Sequence, residues 1–283
     1  MLLKRISLVM MAIWLSKGIG QELPVPLNFE VKNGLAVISA SLHLPENQDG
    51  QVPVVIVVPG SDRGTRDYFL PFVPAINSIG YGVLLYDKQG VGKSTGSFIQ
   101  VSSTNSKKTI AERAKIVASL IKYLQGLHSV SADQIGLLSS SQGTWVASEV
   151  YKTHGNVAFL MNYSGGVASV GASDYYDEQM DDASMTIENG NKLVNSFKGY
   201  HGFDPIKTIK RMDIPVLWMY GALDRSHPGL FDLETLNKMG KENFRLELLD
   251  NTTHELIDVT TNDISQEMVS RSMAWMSSIK RGF

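Results

Sequence analysis

The stretch Val54-Val55-Ile56-Val57-Val58 is five consecutive β-branched residues closed by Pro59-Gly60. Such side chains crowd a helix but sit well on a pleated strand. An unbroken apolar run leaves no face for water, so its strand must be covered on both sides, as a central strand of a parallel sheet is. Short apolar runs recur at residues 82–86, 135–139, 158–163, 216–220 and 244–249. Helical stretches separate them. Residues 109–127 carry Ile110, Ala114, Val117, Ile121 and Leu124 at steps of three and four, which is one buried stripe. Residues 266–280 supply a closing helix with Met268, Met273 and Trp275 among its apolar positions. Ahead of all this, residues 27–44 alternate around Lys32-Asn33-Gly34, a hairpin signal. Strands alternating with helices predict an α/β fold with a mostly parallel central sheet and helices on both faces. Ligands in such sheets bind where the strands end at their C-terminal edge. Functional residues are therefore expected just after each apolar run.

With 283 residues, 43% apolar and 19% charged, the chain has ample side chain for a core, which excludes a disordered or coiled-coil protein. The absence of cysteine excludes disulfides, thiol catalysis, iron–sulfur clusters and Cys-ligated zinc. Lys plus Arg number 26 against 28 Asp plus Glu, so there is no electrostatic footprint for nucleic acid or an anionic membrane. At the N-terminus, Lys4 and Arg5 precede an apolar run over residues 6–15, and Gly18 and Gly20 stand at −3 and −1 of a cut before Gln21. A run of ten residues, Ser7 among them, is too short to cross a hydrocarbon core of roughly 30 Å as a helix. Residues 1–20 thus read as a signal peptide, and the mature chain, residues 21–283, is expected to be exported, periplasmic or secreted. No cysteine follows the run to take a lipid, so no stable membrane anchor is expected.

After the run at 135–139 comes Ser139-Ser140-Ser141-Gln142-Gly143 and then a helical stretch over residues 144–151. This is a Gly-x-Ser-x-Gly elbow with Ser in the first small position. A sharp strand-to-helix turn strains the nucleophile, so the residues two before and two after it must be small. Ser139 and Gly143 meet that requirement around Ser141, whereas centring on Ser140 would put Leu138 and Gln142 there. The turn aims the Gln142 backbone N–H at a developing oxyanion. The partners should follow in the order acid, then His. Asp224 follows the run at 216–220, and His254 follows the run at 244–249. Asp224 would fix the imidazole tautomer, and His254 would take the Ser141 proton. His227 is the one competing base, being close to Asp224 in sequence; His43, His128, His154 and His201 read as structural. Ser61, after the run at 54–58, occupies the place of the second oxyanion donor.

These motifs give a resemblance to the α/β-hydrolase superfamily, in its bacterial serine esterase or acyl-hydrolase branch. Its residues are Pro59-Gly60-Ser61-Asp62, Tyr86-Asp87-Lys88-Gln89-Gly90-Val91-Gly92-Lys93-Ser94, the elbow, Tyr220-Gly221-Ala222-Leu223-Asp224 and His254. The resemblance spans roughly residues 27–283. Pro59 stands where the family has His, Ser139 where the elbow has its first Gly, and Thr144 where a second Gly is common. The resemblance implies a serine hydrolase with a small-molecule ester substrate and no required cofactor. Thioester or peptide cleavage, acyl transfer, and a non-catalytic binding role on the same fold remain open alternatives.

Two further segments carry expectations. Residues 166–212 exceed a simple crossover and are expected to form a small helical lid insert, with Tyr175, Tyr176 and Phe203 among the residues walling a substrate pocket. Its carboxylates Asp174, Asp177, Glu178, Asp181 and Asp182 read either as a solvated face or as an attraction for a cation or metal. Gly90-Val91-Gly92-Lys93-Ser94-Thr95 mimics the end of a phosphate-binding loop, but Asp87 holds the place of that loop's first glycine. Gly90 and Gly92 therefore read as turn glycines.

Overall fold

The computed structural model describes residues 25–46 and 50–280. The expected signal peptide lies outside the described residues. The chain begins with a hairpin, β1 (Leu27–Asn33) and β2 (Ala36–His43), paired from Leu27↔Leu42 to Asn33↔Ala36. Its loop is Gly34-Leu35, one residue beyond the expected turn, because Gly34 takes φ +60° and Asn33 still pairs. Then come β3 (Val52–Val58), a 3₁₀ helix (Arg66–Phe72), α1 (Val73–Ser78), β4 (Gly82–Tyr86), α2 (Ser106–Gln125), β5 (Val130–Ser140), α3 (Gly143–His154) and β6 (Leu160–Tyr163). The expected long crossover holds α4 (Val170–Gln179), α5 (Ile187–Val194) and α6 (Ile206–Ile209). The chain closes with β7 (Val216–Gly221), α7 (Gly229–Met239), β8 (Phe244–Leu249), a small hairpin β9 (Ile257–Asp258) and β10 (Asp263–Ile264), and α8 (Gln266–Lys280).

Eight strands form one sheet in the order β1-β2-β4-β3-β5-β6-β7-β8, parallel from β4 to β8 and antiparallel at the β1, β2 end. The β-branched run of β3 lies between β4 and β5, parallel to both. Its alternation divides it between two cores, as the pleat requires. Val54, Ile56 and Val58 join the core under α2 and α3, whereas Val55 and Val57 join the one under α1 and α8. Val216, Trp218 and Tyr220 of β7 face the first core, and Leu217 and Met219 the second. With both faces buried in this way, the C-terminal strand ends, where the loops after β3, β5, β7 and β8 emerge, are left as the place for a site.

Candidate active site

The backbone turns sharply after β5, and Ser141 is held at φ +50°, a left-handed conformation disfavoured for a side-chain-bearing residue. Two contacts enforce it. Ser141 N–H donates to the Tyr163 carbonyl at 2.8 Å, and a Cβ on Gly143 would fall 2.3 Å from the Val58 carbonyl oxygen, so only glycine lets α3 approach β3. The Ser141 carbonyl accepts from Thr144 N–H at 3.0 Å and from Thr144 Oγ1 at 2.6 Å. Thr144, a departure from the resembled pattern, therefore clamps the elbow.

Three of the expected residues meet. His254 Nε2 lies 3.0 Å from Ser141 Oγ, and His254 Nδ1 lies 2.8 Å from Asp224 Oδ2. A carboxylate only accepts, so Nδ1–H donates to Asp224 and the Nε2 lone pair faces the Ser141 hydroxyl. Asp224 is 1% exposed, and its other oxygen accepts from the N–H groups of Ser226 and His227, both at 2.8 Å. Burial alone would lower the His254 imidazole. The charge and hydrogen bond of Asp224, with Glu255 and Asp177 adding to them, outweigh it and hold the pKa above its ordinary 6.5. His227 is not part of this chain: its Nε2 donates to Asp232 Oδ2 at 2.7 Å, and its Nδ1 accepts from Ser173 Oγ at 3.0 Å. Asp232 also accepts from the N–H groups of Val167 and Ala168, so this second Ser–His–Asp cluster fastens the crossover to α7.

Ser61 lines the same cavity as Ser141, and Gln142 begins the turn into α3. Neither N–H has an acceptor among the described residues. Gln142 is not among the residues lining the cavity, and its Oε1 accepts from Arg113 Nη1.

The cavity beside Ser141 has a volume of about 260 Å³. Phe69 and Phe72 of the 3₁₀ helix, Ile76 of α1, and Met268, Val269 and Met273 of α8 belong to its apolar wall, while Asp62, Tyr68, Tyr163, Glu255 and Ser272 are polar members besides Ser61, Ser140, Ser141 and His254. Burial and the charges of Asp62 and Glu255 raise the Tyr68 phenol above its ordinary pKa, so this part of the cavity is electronegative.

The expectation for Tyr175, Tyr176 and Phe203 needs correction, since none of the three lines this cavity. Each has a partner elsewhere. Tyr175 packs on Phe197 at 5.4 Å, Phe203 belongs to the core under α2 and α3, and Tyr176 is fully buried with its hydroxyl donating to the Asp224 carbonyl at 2.7 Å. Arg225 adds hydrogen bonds to the carbonyls of Met180, Asp182 and Met185. The insert thus buttresses the Asp224 loop, and the wall comes from the 3₁₀ helix, α1 and α8. Among the described residues no group of three or more acidic or His side chains could hold a metal ion, the acidic stretch of α4 included. Nor does the phosphate-loop mimic form a cradle: Asp87 accepts from the N–H groups of Arg66 and Lys93, and Ser94 Oγ bonds Asp87 O and Ser39 N.

No protein-family model and no curated protein matches this sequence. Solved structures do resemble it. An esterase of Pyrococcus furiosus superposes with a TM-score of 0.65 at 17% identity, over 90% of this chain and 91% of its own. A 2,6-dihydroxy-pseudo-oxynicotine hydrolase gives 0.64 at 16% identity, over 90% of this chain and 68% of its own. An acylaminoacyl peptidase of Pyrococcus horikoshii gives 0.64 at 14% identity, with 90% of this chain matching 42% of that one. At such identities the likeness is one of fold.

Proposed function

We propose that this chain, which has the α/β-hydrolase fold, is a serine hydrolase that cleaves carboxylic esters with an apolar chain. The observation that carries the reading is the continuous hydrogen-bonded chain from Asp224 through His254 to Ser141 Oγ, with links of 2.8 and 3.0 Å, at the floor of an apolar cavity. In the proposed reaction, Ser141 Oγ attacks the ester carbonyl carbon as its proton passes to His254 Nε2. Asp224 stabilises the imidazolium, and the N–H groups of Ser61 and Gln142 take the oxyanion. Collapse of the tetrahedral adduct sends the proton from Nε2 to the leaving alkoxide and leaves an acyl-Ser141 ester. Water, deprotonated by the same Nε2, then releases the acid and restores Ser141.

An ester is favoured over a peptide carrying a free carboxylate because the cavity's charged side chains, Asp62 and Glu255, are both acidic. We also infer that residues 1–20 direct export; N-terminal sequencing of exported protein should begin at Gln21. The activity test is steady-state hydrolysis of p-nitrophenyl esters of increasing acyl length. Turnover by the wild type should fall about 10⁴-fold or more in Ser141→Ala. Equal turnover by the two would remove Ser141 from the chemistry.

A further inference from the structure

The segment Tyr86-Asp87-Lys88-Gln89-Gly90-Val91-Gly92-Lys93-Ser94 supplies no group to the proposed reaction, yet it is firmly tied down. Asp87 fastens it to the first residue of the 3₁₀ helix and Ser94 to β2, while Asp87 also accepts from Lys93 and Ser94 within the segment. These bonds hold Lys88, which is only 5% exposed although it bears an ammonium. Its Nζ lies behind residues 59–63. There it donates to the Gly60 carbonyl at 2.7 Å and to the Asp62 carbonyl, with Asp62 Oδ1 at 3.9 Å. The Phe98 ring covers Nζ at 5.6 Å, and the same ring carries the guanidinium groups of Arg63 and Arg113, each at 5.2 Å.

A trans peptide group is planar, and its C=O and N–H point in opposite directions. The Gly60 carbonyl and the Ser61 N–H belong to one such group. With the carbonyl drawn onto Lys88, the Ser61 N–H is turned the other way. Ser141 stands close by: a Cβ on Gly60 would lie 3.3 Å from Ser141 Cβ and 3.4 Å from the Ser140 carbonyl oxygen. The second donor is set by the same device, since Thr144 holds the Ser141 carbonyl and thereby orients the Gln142 N–H.

We infer that Lys88 is the positioning residue of the oxyanion site, aiming the Ser61 N–H by holding the carbonyl of the same peptide group and polarising it with a buried positive charge. A cation on the carbonyl oxygen draws electron density from the amide nitrogen and makes its N–H a stronger donor. Burial of an ammonium costs stability, and here burial lowers its pKa to about 8, with Asp62 opposing the shift and Arg113 adding to it. A residue kept under that strain and bonded to both carbonyls flanking Ser61 fits a positioning role.

This inference rests on the serine-hydrolase reading, and the experiment separates the two. Wild type, Ser141→Ala, Lys88→Met and Lys88→Arg are compared on a p-nitrophenyl ester, with thermal melts to establish folding. Failure of the hydrolase reading would show as no Ser141-dependent turnover in the wild type; failure of the present one shows only in the Lys88 variants. The expected result for Lys88→Met is a kcat lower by about 10- to 100-fold with KM within about twofold. Binding of an alkyl trifluoromethyl ketone, which forms a tetrahedral oxyanion on serine, should weaken by the same factor, while the matching methyl ketone binds as before. Lys88→Arg, keeping charge and donors, should recover most of the loss. A folded Lys88→Met with kcat within about twofold of wild type, or with equal loss of both ketones, overturns the inference. Should Lys88→Met fail to fold, Lys88→Leu, which likewise has no donor, takes its place, and the same losses support or overturn the inference.

Discussion

At the scale of single residues, the base of the proposed triad is governed by its carboxylate neighbours. Burial pulls the His254 pKa down, but Asp224, Glu255 and Asp177 favour the imidazolium more strongly, and the net value lies above 6.5. Protonated His254 has no lone pair for the Ser141 hydroxyl, so the proposed activity belongs to the neutral form. The kcat/KM profile should therefore fall as pH drops through a midpoint above 6.5. Asp177→Asn should move that midpoint downward while leaving the plateau intact; an unmoved midpoint would exclude the Asp177 contribution. The meeting of Ser141, Asp224 and His254 is legible in the sequence because each follows an apolar run in the order that the proposed chemistry demands. The placement of Lys88 is not. Its acceptors are backbone carbonyls 26 and 28 residues away, and no side-chain pattern records them.

At the scale of elements, the apolar runs located the strands, but the aromatic residues misplaced the pocket. The long crossover attracted the substrate assignment because it gathers aromatic residues, but those aromatics are consumed in packing, and Tyr176 serves the Asp224 loop. The cavity wall lies instead in Phe69 and Phe72, eight and eleven residues beyond Ser61, and in the methionines of α8. The apolar cluster Tyr68-Phe69-Leu70-Pro71-Phe72 directly after the oxyanion loop was the available signal. In α8, the apolar positions Met268 and Met273 do not by themselves distinguish cavity wall from core, because a helix stripe shows burial without showing what it is buried against. The wall assignment has a direct consequence. Met273→Trp should shorten the longest p-nitrophenyl acyl ester accepted, by filling the cavity, and Tyr175→Ala should leave the chain-length preference unchanged. The reverse pattern would return the pocket to the insert.

At the scale of the whole molecule, fully apolar runs separated by amphipathic helices were enough to specify a parallel sheet covered on both faces. Strand order was not legible, because it depends on which neighbours each strand buries. Thus β4 lies between β2 and β3, and β3 turns to pair with β5. That order brings the loops after β3, β5, β7 and β8 to one edge, and with them Ser61, Ser141, Asp224 and His254. In the proposed reading, this convergence makes Ser141 an activated nucleophile. The most direct test of that claim is treatment of the folded protein with a fluorophosphonate probe, followed by peptide mass spectrometry, with Ser141→Ala alongside. The expected result is one adduct, on Ser141, absent from the variant. Folded wild type that takes no adduct, or takes it equally in Ser141→Ala, would contradict the claim.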